Sequence, residues 1–145
     1  MLVENRKALF DYEILEKIEA GIELIGAEVK SIRAGKASIA GAYAKIYGGE
    51  LWLVGCSVSP YQKKNMPENY VEDRPRRLLV KKEEIKRFAG AVKEKGLTLA
   101  PLKLYNKNGR IKLELALCKS RKKFDKRGVI KKRESKREIE RKLKS

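Results

Sequence analysis

The stretch "LTLAPLKLYNKNGRIKLELALCK" (residues 97–119) indicates the fold more clearly than any other part of the chain. Every second residue from 111 to 117 is apolar, which is typical of a strand with one buried face. Asn108-Gly109, a dipeptide favoured in tight hairpin turns, precedes this strand. Pro101 marks an edge or a bulge in the run before the turn, because proline cannot donate to a strand ladder. The stretch therefore predicts an antiparallel hairpin.

Two more segments have hairpin patterns. In "AYAKIYGGELWLVGCSV" (42–58), two β-rich runs surround Gly48-Gly49, so we predict a hairpin with its turn at these glycines. In "DYEILEKIEAGIELIG" (11–26), apolar and charged residues alternate before Glu19-Ala20-Gly21. We interpret these three residues as a turn, which predicts another hairpin.

Helical patterns occur twice, and a loop lies between them. "AEVKSIRAG" (27–35) predicts a short helix that stops near Gly35. "RRLLVKKEEIKRFAGAVKEKG" (76–96) predicts a strand at 78–80 followed by a helix that ends at Gly96. Three of the four prolines lie between residues 60 and 75, which favours a long exposed loop.

These elements predict a mainly β fold. Strands recur about every 8–12 residues and helices are few, which favours a small closed antiparallel sheet. We predict an OB-fold-like antiparallel barrel of about six strands with flanking helices. A split sheet with a packed helix is the alternative, and the pattern alone does not separate the two. Residues 1–118 are assigned to the barrel domain and residues 119–145 to a basic C-terminal tail.

Charge is the outstanding feature of the composition. The chain holds 36 Lys and Arg against 19 Asp and Glu, a net charge of +17. Residues 119–145 carry 14 basic and 4 acidic side chains, net +10, which leaves +7 for residues 1–118. Such a charge favours polyanionic partners, with nucleic acid first and an anionic membrane surface second. No apolar run exceeds four residues and no signal sequence is evident, so we expect a cytoplasmic protein without a membrane partner.

Catalytic and metal-binding chemistry has little support in the sequence. Cys56 and Cys118 lack C-x-x-C spacing and the chain has no histidine, so a zinc site lacks ligands and a Cys–His nucleophile is impossible. Glu28-Val29-Lys30 with upstream Asp11 has residue types found in Mg²⁺-dependent nucleases, but no second metal-holding carboxylate is evident. We expect no metal, no cofactor and no enzyme activity.

The tail is too poor in apolar residues to fold alone. Burying all five of its large apolar side chains would yield roughly 10–15 kcal/mol. Ordering its 27 residues costs on the order of 40 kcal/mol. We therefore predict that it is disordered or partly helical when free, and that it orders on RNA or DNA, where its cations gain partners. A solvated basic tail without a function is the alternative.

Six segments, taken in order, resemble those of one family: "NRKA" (5–8) followed by "DY" (11–12), "EAGIELIGAEVKSIRAGKA" (19–37), "SPY" (59–61), "RRLLVKKEEI" (76–85), "KGLTLAPLKLYNKNG" (95–109) and "FDKR" (124–127). The family is SmpB, the SsrA-binding proteins. The resemblance implies an OB-fold barrel that binds the tRNA-like domain of tmRNA and delivers it to stalled ribosomes for trans-translation. The implied partners are tmRNA and the ribosome with its 16S rRNA, and no DNA is expected. A general OB-fold binder of rRNA or single-stranded RNA is the alternative.

Site residues follow from this resemblance and from the charges. The resemblance places tmRNA contacts at Asn5, Glu19, Leu79 and Lys112, with basic support from Lys119, Arg121 and Lys122. A turn carboxylate is the alternative for Glu19, and a core position is the alternative for Leu79. Further cations expected at the tmRNA are Arg6, Lys7, Lys30, Arg33 and Lys36.

The resemblance also assigns roles within the tail. The residues implied at the ribosomal decoding centre are Phe124, Asp125, Lys126 and Arg127, with Phe124 stacking on a base. Beyond Gly128, a basic helix is implied to fill the empty mRNA channel. Its cations are Lys131, Lys132, Arg133, Lys136, Arg137, Arg141 and Lys142.

Overall fold

A computed structural model describes residues 2–121 of the chain. It covers the predicted barrel domain and the first residues of the predicted tail. The remaining predictions for the tail lie outside the described residues, and they concern Lys122, Phe124, Asp125, Lys126, Arg127, Lys131, Lys132, Arg133, Lys136, Arg137, Arg141 and Lys142.

Strands dominate the described part of the chain, and three α-helices lie between them. In chain order the elements are β1 (Val3–Glu4), α1 (Arg6–Asp11), β2 (Tyr12–Ile22), α2 (Gly26–Arg33), β3 (Ala37–Ser38), β4 (Tyr43–Tyr47), β5 (Glu50–Val54), β6 (Ser57–Val58), a 3₁₀ turn (Lys63–Asn65), β7 (Arg76–Leu79), α3 (Lys82–Lys95), β8 (Thr98–Lys107) and β9 (Arg110–Ser120).

Six of the strands close into a barrel. Their order is β8-β4-β5-β7-β2-β9, and β9 pairs with β8 to complete the ring. All of these pairings are antiparallel. The short strand β1 extends the sheet beside β8, and β3 pairs with β6. The prediction of a mainly β antiparallel barrel with flanking helices is confirmed.

Both glycine-centred hairpins form as predicted. Gly48 and Gly49 join β4 to β5 with φ angles of +59° and +76°. Asn108 and Gly109 join β8 to β9 with φ angles of +52° and +75°. Two successive positive φ angles match the twist of the flanking strands. The pairing of β8 with β9 shifts register next to Pro101, where a bulge was expected.

The predicted hairpin at residues 11–26 is wrong, because β2 continues through the supposed turn. It pairs with β9 from Tyr12 to Gly21, and its last two residues pair with β7. Gly21 serves close packing rather than a turn: a Cβ atom there would lie 3.1 Å from the Cβ of Leu79. A contact between residues far apart in sequence therefore accounts for the glycine.

The helices match their sequence signals. Helix α2 is followed by Gly35, whose φ is +75°, and α3 is followed by Gly96, whose φ is +64°. Ile85 and Phe88 on α3 are buried in the core. The strand expected at residues 78–80 is β7, shifted two residues toward the N-terminus at its start.

The core fills the barrel, and α1 packs on its outer surface. Inward-facing leucines such as Leu51, Leu104 and Leu113 are fully buried. Outside the ring, Ala8 of α1 packs with Leu102 of β8 and a buried alanine of β9. No helix between residues 2 and 121 has the length and apolarity needed to cross a membrane.

Candidate nucleic-acid interface

A surface groove brings three of the predicted RNA-binding residues together. Arg33 from the last turn of α2, Leu79 at the end of β7 and Lys112 near the start of β9 line a groove of about 270 Å³. We call it the Leu79 groove. Its other lining residues are Gly21, Ile22, Leu24, Val29, Gly109, Arg110 and Ile111.

Leu79 forms an exposed apolar surface in this groove. It points outward from β7, and 48% of it is accessible to solvent, while the preceding Leu78 is buried in the core. The alternative that Leu79 is a core residue is therefore wrong. Its position depends on Gly21 of the neighbouring strand, since the absent Cβ allows the leucine to lie against the backbone.

Cations flank this apolar surface. Arg33 Nη2 donates a hydrogen bond of 3.0 Å to the carbonyl oxygen of Gly109, which ties α2 to the β8–β9 turn. Lys112 pairs in register with Gly21, so its side chain projects from the outer face of the same sheet. Arg110 adds a third cation to the lining. The groove thus offers an apolar surface among positive charges.

Glu19 lies in the middle of β2, so the alternative of a turn carboxylate is wrong. Its carboxylate accepts a 2.7 Å hydrogen bond from the hydroxyl of Tyr105 and forms an ion pair with Lys107 Nζ at 3.0 Å. The Tyr105 bond, followed by the Lys107 contact, lowers the pKa of Glu19, which stays ionised at neutral pH. Burial and the bond to Glu19 raise the pKa of Tyr105, which keeps its proton and remains the donor.

Tyr105 and Lys107 were not among the residues predicted from the sequence. They lie on β8, and Lys103 Nζ sits 5.5 Å from the centre of the Tyr105 ring. Alternation along "LKLYNK" already placed Lys103, Tyr105 and Lys107 on one face. That alternation is the sequence signal that could have revealed them.

Asn5 does not lie on the surface, and its side chain is not available for the predicted tmRNA contact in this structure. Only 2% of the residue is exposed. Its Nδ2 donates to the carbonyl oxygens of Ile39 (3.1 Å) and Pro101 (2.8 Å). Its Oδ1 accepts from the backbone N–H of Ala8 at 3.2 Å, which caps α1. Buried polar groups need such partners, so Asn5 serves the fold.

A second set of predicted cations lies around α1 and the end of β9. Arg6 and Lys7 are exposed on α1. Arg121 donates from Nε to the carbonyl oxygen of Tyr12 at 3.1 Å, and its backbone N–H bonds to Asp11. Lys119 is exposed one residue before the end of β9. Lys119 lies seven positions after Lys112 along β9, about 23 Å at 3.3 Å per residue.

Lys30 and Lys36 lie on or beside α2 and are not among the residues that line the Leu79 groove. Both are exposed. The ammonium of Lys36 sits 5.3 Å from the centre of the Tyr61 ring, a cation–π distance. Of the predicted cations that the structure describes, Arg33 and Lys112 line the Leu79 groove.

Glu28 carries a buried ion-pair network that sequence reasoning did not find. It is fully buried and accepts hydrogen bonds from Arg74, from Arg76 Nε at 2.9 Å and from the Tyr70 hydroxyl at 2.9 Å. It also accepts from the backbone N–H of Ile25 at the start of α2. The network fastens the proline-rich loop to the barrel. Its side-chain partners Tyr70, Arg74 and Arg76 lie more than forty residues downstream, which no local pattern reveals.

This network also bears on the nuclease alternative. Burial opposes ionisation of Glu28, yet the bonds from Arg74, Ile25, Arg76 and Tyr70 outweigh it and lower the pKa to about 2. Its oxygens are held by protein donors, whereas Lys30 is exposed on the surface. Within residues 2–121, no group of three or more His, Cys, Asp or Glu side chains is arranged to hold a metal ion. The triplet thus has a structural explanation.

Nearly the whole chain matches a family model. The model described as "SmpB protein" covers residues 2–145. The chain belongs to the SmpB family. The recognition made from six sequence segments is thereby confirmed, and the SmpB match extends through the tail.

Curated relatives support this assignment over nearly their full length. The SsrA-binding protein of Carboxydothermus hydrogenoformans is 51% identical over 145 residues, which is 100% of this chain and 97% of the relative. That of Desulforudis audaxviator is 54% identical over 138 residues, 95% of this chain and 90% of the relative. That of Thermosynechococcus vestitus is 50% identical over 144 residues, 99% and 95% of the two chains.

A solved structure shares the fold of this SmpB-family chain. It comes from "tmRNA-SmpB: a journey to the center of the bacterial ribosome" and is 48% identical. The match has a TM-score of 0.67 and covers 83% of this chain and 85% of the solved chain.

Proposed function

We propose that this protein binds the tRNA-like domain of tmRNA and delivers it to stalled ribosomes for trans-translation. Membership of the SmpB family supports the proposal, as do relatives named SsrA-binding proteins and a structural match from work on tmRNA-SmpB and the bacterial ribosome. The Leu79 groove is the structural observation that carries it. The groove joins Arg33, Leu79 and Lys112, with Glu19 on the adjacent strand.

The groove is suited to a folded RNA backbone. A structured RNA presents phosphates and 2′-hydroxyls that a protein recognises by shape. Arg33 and Lys112 take phosphates on either side, while the exposed Leu79 packs on a ribose or on the face of an unpaired base. Glu19 holds Tyr105 and Lys107 in place on β8 through its hydrogen bonds. None of these roles requires a chemical step, so the protein acts as a binding protein.

The α1 end of the barrel supplies a second contact. Asn5 caps α1 from inside the protein and thereby orients exposed Arg6 and Lys7. Lys119 and Arg121 lie at the same end of the sheet. An RNA that contacts both ends of β9 must extend over about 23 Å. The predicted role of Asn5 in tmRNA binding is thus an indirect one.

The tail serves the ribosome in this proposal. Residues 119–145 carry a net charge of +10 and only a few large apolar side chains, so a phosphate-lined channel supplies the partners that the tail lacks. Phe124 stacks at the decoding centre, with Asp125, Lys126 and Arg127 beside it. The cations from Lys131 to Lys142 follow the empty mRNA path. The work of the protein takes place in the cytoplasm, where ribosomes translate.

Deletion of residues 124–145 tests this division of labour. We expect the truncated protein to bind tmRNA with nearly the affinity of the full chain and to fail in a reconstituted trans-translation assay. The matched variant Lys112→Glu keeps the tail and reverses one charge in the Leu79 groove, so it should lose tmRNA affinity first. Loss of tmRNA binding on truncation, with Lys112→Glu unaffected, would show that the roles of barrel and tail are assigned wrongly.

A further inference from the structure

The outer surface of the β4–β5 hairpin carries aromatic and basic side chains in alternation. Tyr43, Lys45 and Tyr47 point outward from β4, while Ala44 and Ile46 between them face the core. The two tyrosines are 44% and 73% exposed. Exposed apolar patches with polar surroundings often mark interaction sites or ligand-binding grooves.

The pattern continues across the neighbouring strands. Trp52 of β5 pairs in register with Lys45 on one side and with Arg77 of β7 on the other. The indole Nε1 donates a 3.3 Å hydrogen bond to the carbonyl oxygen of Tyr47, which fixes the ring at the surface. Tyr43, Lys45, Tyr47 and Trp52 line a shallow groove of about 520 Å³ together with Val54 and Pro75. We call this surface the Trp52 platform.

The charges on the platform are not equivalent. Arg77 is paired with Glu50 at 2.9 Å and lies 3.6 Å from Glu23. Lys45, in contrast, makes no ion pair with any of the residues that the structure describes. An unpaired cation between aromatic rings disfavours a protein partner, because the centres of protein–protein interfaces are depleted of charge. It suits a nucleic acid, whose phosphates alternate with bases.

The platform lies next to the Leu79 groove around the barrel, because β7 carries Leu79 and also pairs with β5 through Arg77 and Trp52. In the ring order, β8 separates β4 from β9, and β7 separates β5 from β2. An RNA seated between β2, β7 and β9 therefore leaves the outer surface of β4 and β5 open. The protein has two faces that can be occupied at once.

We propose that the Trp52 platform binds unpaired nucleotides of ribosomal RNA, with bases stacked on Tyr43, Tyr47 and Trp52 and a phosphate on Lys45. Aromatic rings combined with cations are the usual means of holding single-stranded RNA. The choice of ribosomal RNA rests on the proposed function, in which tmRNA fills the Leu79 groove and the ribosome is the other RNA-bearing partner. The stacking chemistry itself is independent of that choice.

Trp52 makes the proposal directly testable, because it is the only tryptophan of the chain. Full-length protein is titrated with hexauridylate and hexaadenylate while tryptophan emission is followed, and the anisotropy of an end-labelled oligonucleotide reports total binding. We expect saturable quenching. Tyr43→Ser and Tyr47→Ser should each raise the oligonucleotide concentration at the quenching midpoint by about five-fold or more. Lys45→Gln should reduce the slope of log affinity against log salt by about 0.7.

Tyr61→Ser is the matched control, since Tyr61 is 49% exposed but lies outside the platform. Its quenching curve should equal that of the parent protein. Oligonucleotide binding that raises anisotropy and leaves Trp52 emission unchanged would overturn the proposal, because the RNA would then sit on the tail or in the Leu79 groove. Self-association that is lost in Tyr43→Ser, without quenching by RNA, would also overturn it in favour of a protein contact.

Chemical probing of ribosomes loaded with protein and tmRNA tests the source of the RNA. Unpaired rRNA bases that the parent protein protects should regain reactivity with Tyr47→Ser, and identical footprints would overturn the ribosomal assignment. The tmRNA affinity of Tyr47→Ser should equal that of the parent protein. A different result would contradict the proposed function: normal tmRNA binding by Lys112→Glu.

Discussion

Glu28→Gln should destabilise the barrel strongly, although residue 28 touches no predicted RNA-binding side chain. Arg76 is fully buried. Its guanidinium donates hydrogen bonds to Glu28, to the carbonyl oxygens of Cys56 and Glu72, and to the Tyr70 hydroxyl. The glutamine preserves the shape of the side chain and can still accept from Ile25. It removes the negative charge, so the arginine is left buried without a counter-ion.

Two estimates give the loss of unfolding free energy in Glu28→Gln. Removing one partner of a buried ion pair costs about 3–5 kcal/mol. The pKa of Glu28 falls from 4.5 to about 2, which corresponds to about 3 kcal/mol of stability in the ionised state. Domains of this size have a free energy of unfolding of about 5–15 kcal/mol. The variant should therefore lose a large part of its stability. It should remain folded only if the free energy of unfolding of the parent protein is well above about 5 kcal/mol.

The same network predicts a pH dependence. Because the folded-state pKa of Glu28 lies below its unfolded-state value, its contribution is complete above about pH 4.5 and declines as the pH falls toward about 2. The parent protein should lose this stability over that interval. Glu28→Gln should lack this pH-dependent contribution. The difference in unfolding free energy between the parent and the variant should therefore narrow as the pH falls.

Urea unfolding followed by Trp52 emission measures both effects, at pH 7 and at steps down to pH 3. Glu16→Gln is the control, because Glu16 pairs with Arg87 at 2.6 Å on the exposed surface, where solvent screens the pair. Its unfolding free energy at pH 7 should stay close to that of the parent. A loss below about 1 kcal/mol in Glu28→Gln, or a difference from the parent that is constant with pH, would refute this account of the network.

Two further predictions concern buried side chains. Asn5→Ala should lower the free energy of unfolding by about 2–3 kcal/mol, since it removes a helix cap and the buried amide that donates to the carbonyl oxygens of Ile39 and Pro101. A loss under about 0.5 kcal/mol in urea unfolding would contradict this. Burial raises the pKa of both thiols, that of Cys118 to about 11, so neither should react with a thiol reagent such as DTNB at pH 8 until urea unfolds the chain. Rapid labelling of the folded protein would contradict that assignment.

Local patterns were enough to predict the elements whose geometry depends on neighbouring residues. The turns at Gly48-Gly49 and Asn108-Gly109 and the stop of α3 at Gly96 depend on left-handed backbone conformations, which short sequence motifs indicate. Alternation along β9 gave its inward face correctly. Because each strand needs a paired neighbour, these elements together predicted a closed sheet.

The errors all involve contacts between distant residues. Gly21 resembles a turn residue, and only the packing of Leu79 from β7 explains why it lies inside a strand. Asn5 resembles a surface residue, but its acceptors are 34 and 96 positions away. Glu28 shows its capping position in the sequence, whereas its pairing with Arg74 and Arg76 does not follow from spacing.

The most direct test of the central claim is a competition experiment with the Leu79 groove. The full-length protein and Lys112→Glu are each bound to the tRNA-like domain of tmRNA, and an unstructured RNA of equal length competes at the same salt concentration. We predict that the parent protein prefers the tRNA-like domain and that Lys112→Glu loses most of this preference while it still binds the unstructured RNA through its tail. Equal affinity of the parent protein for the two RNAs would contradict the account and indicate a general RNA-binding protein.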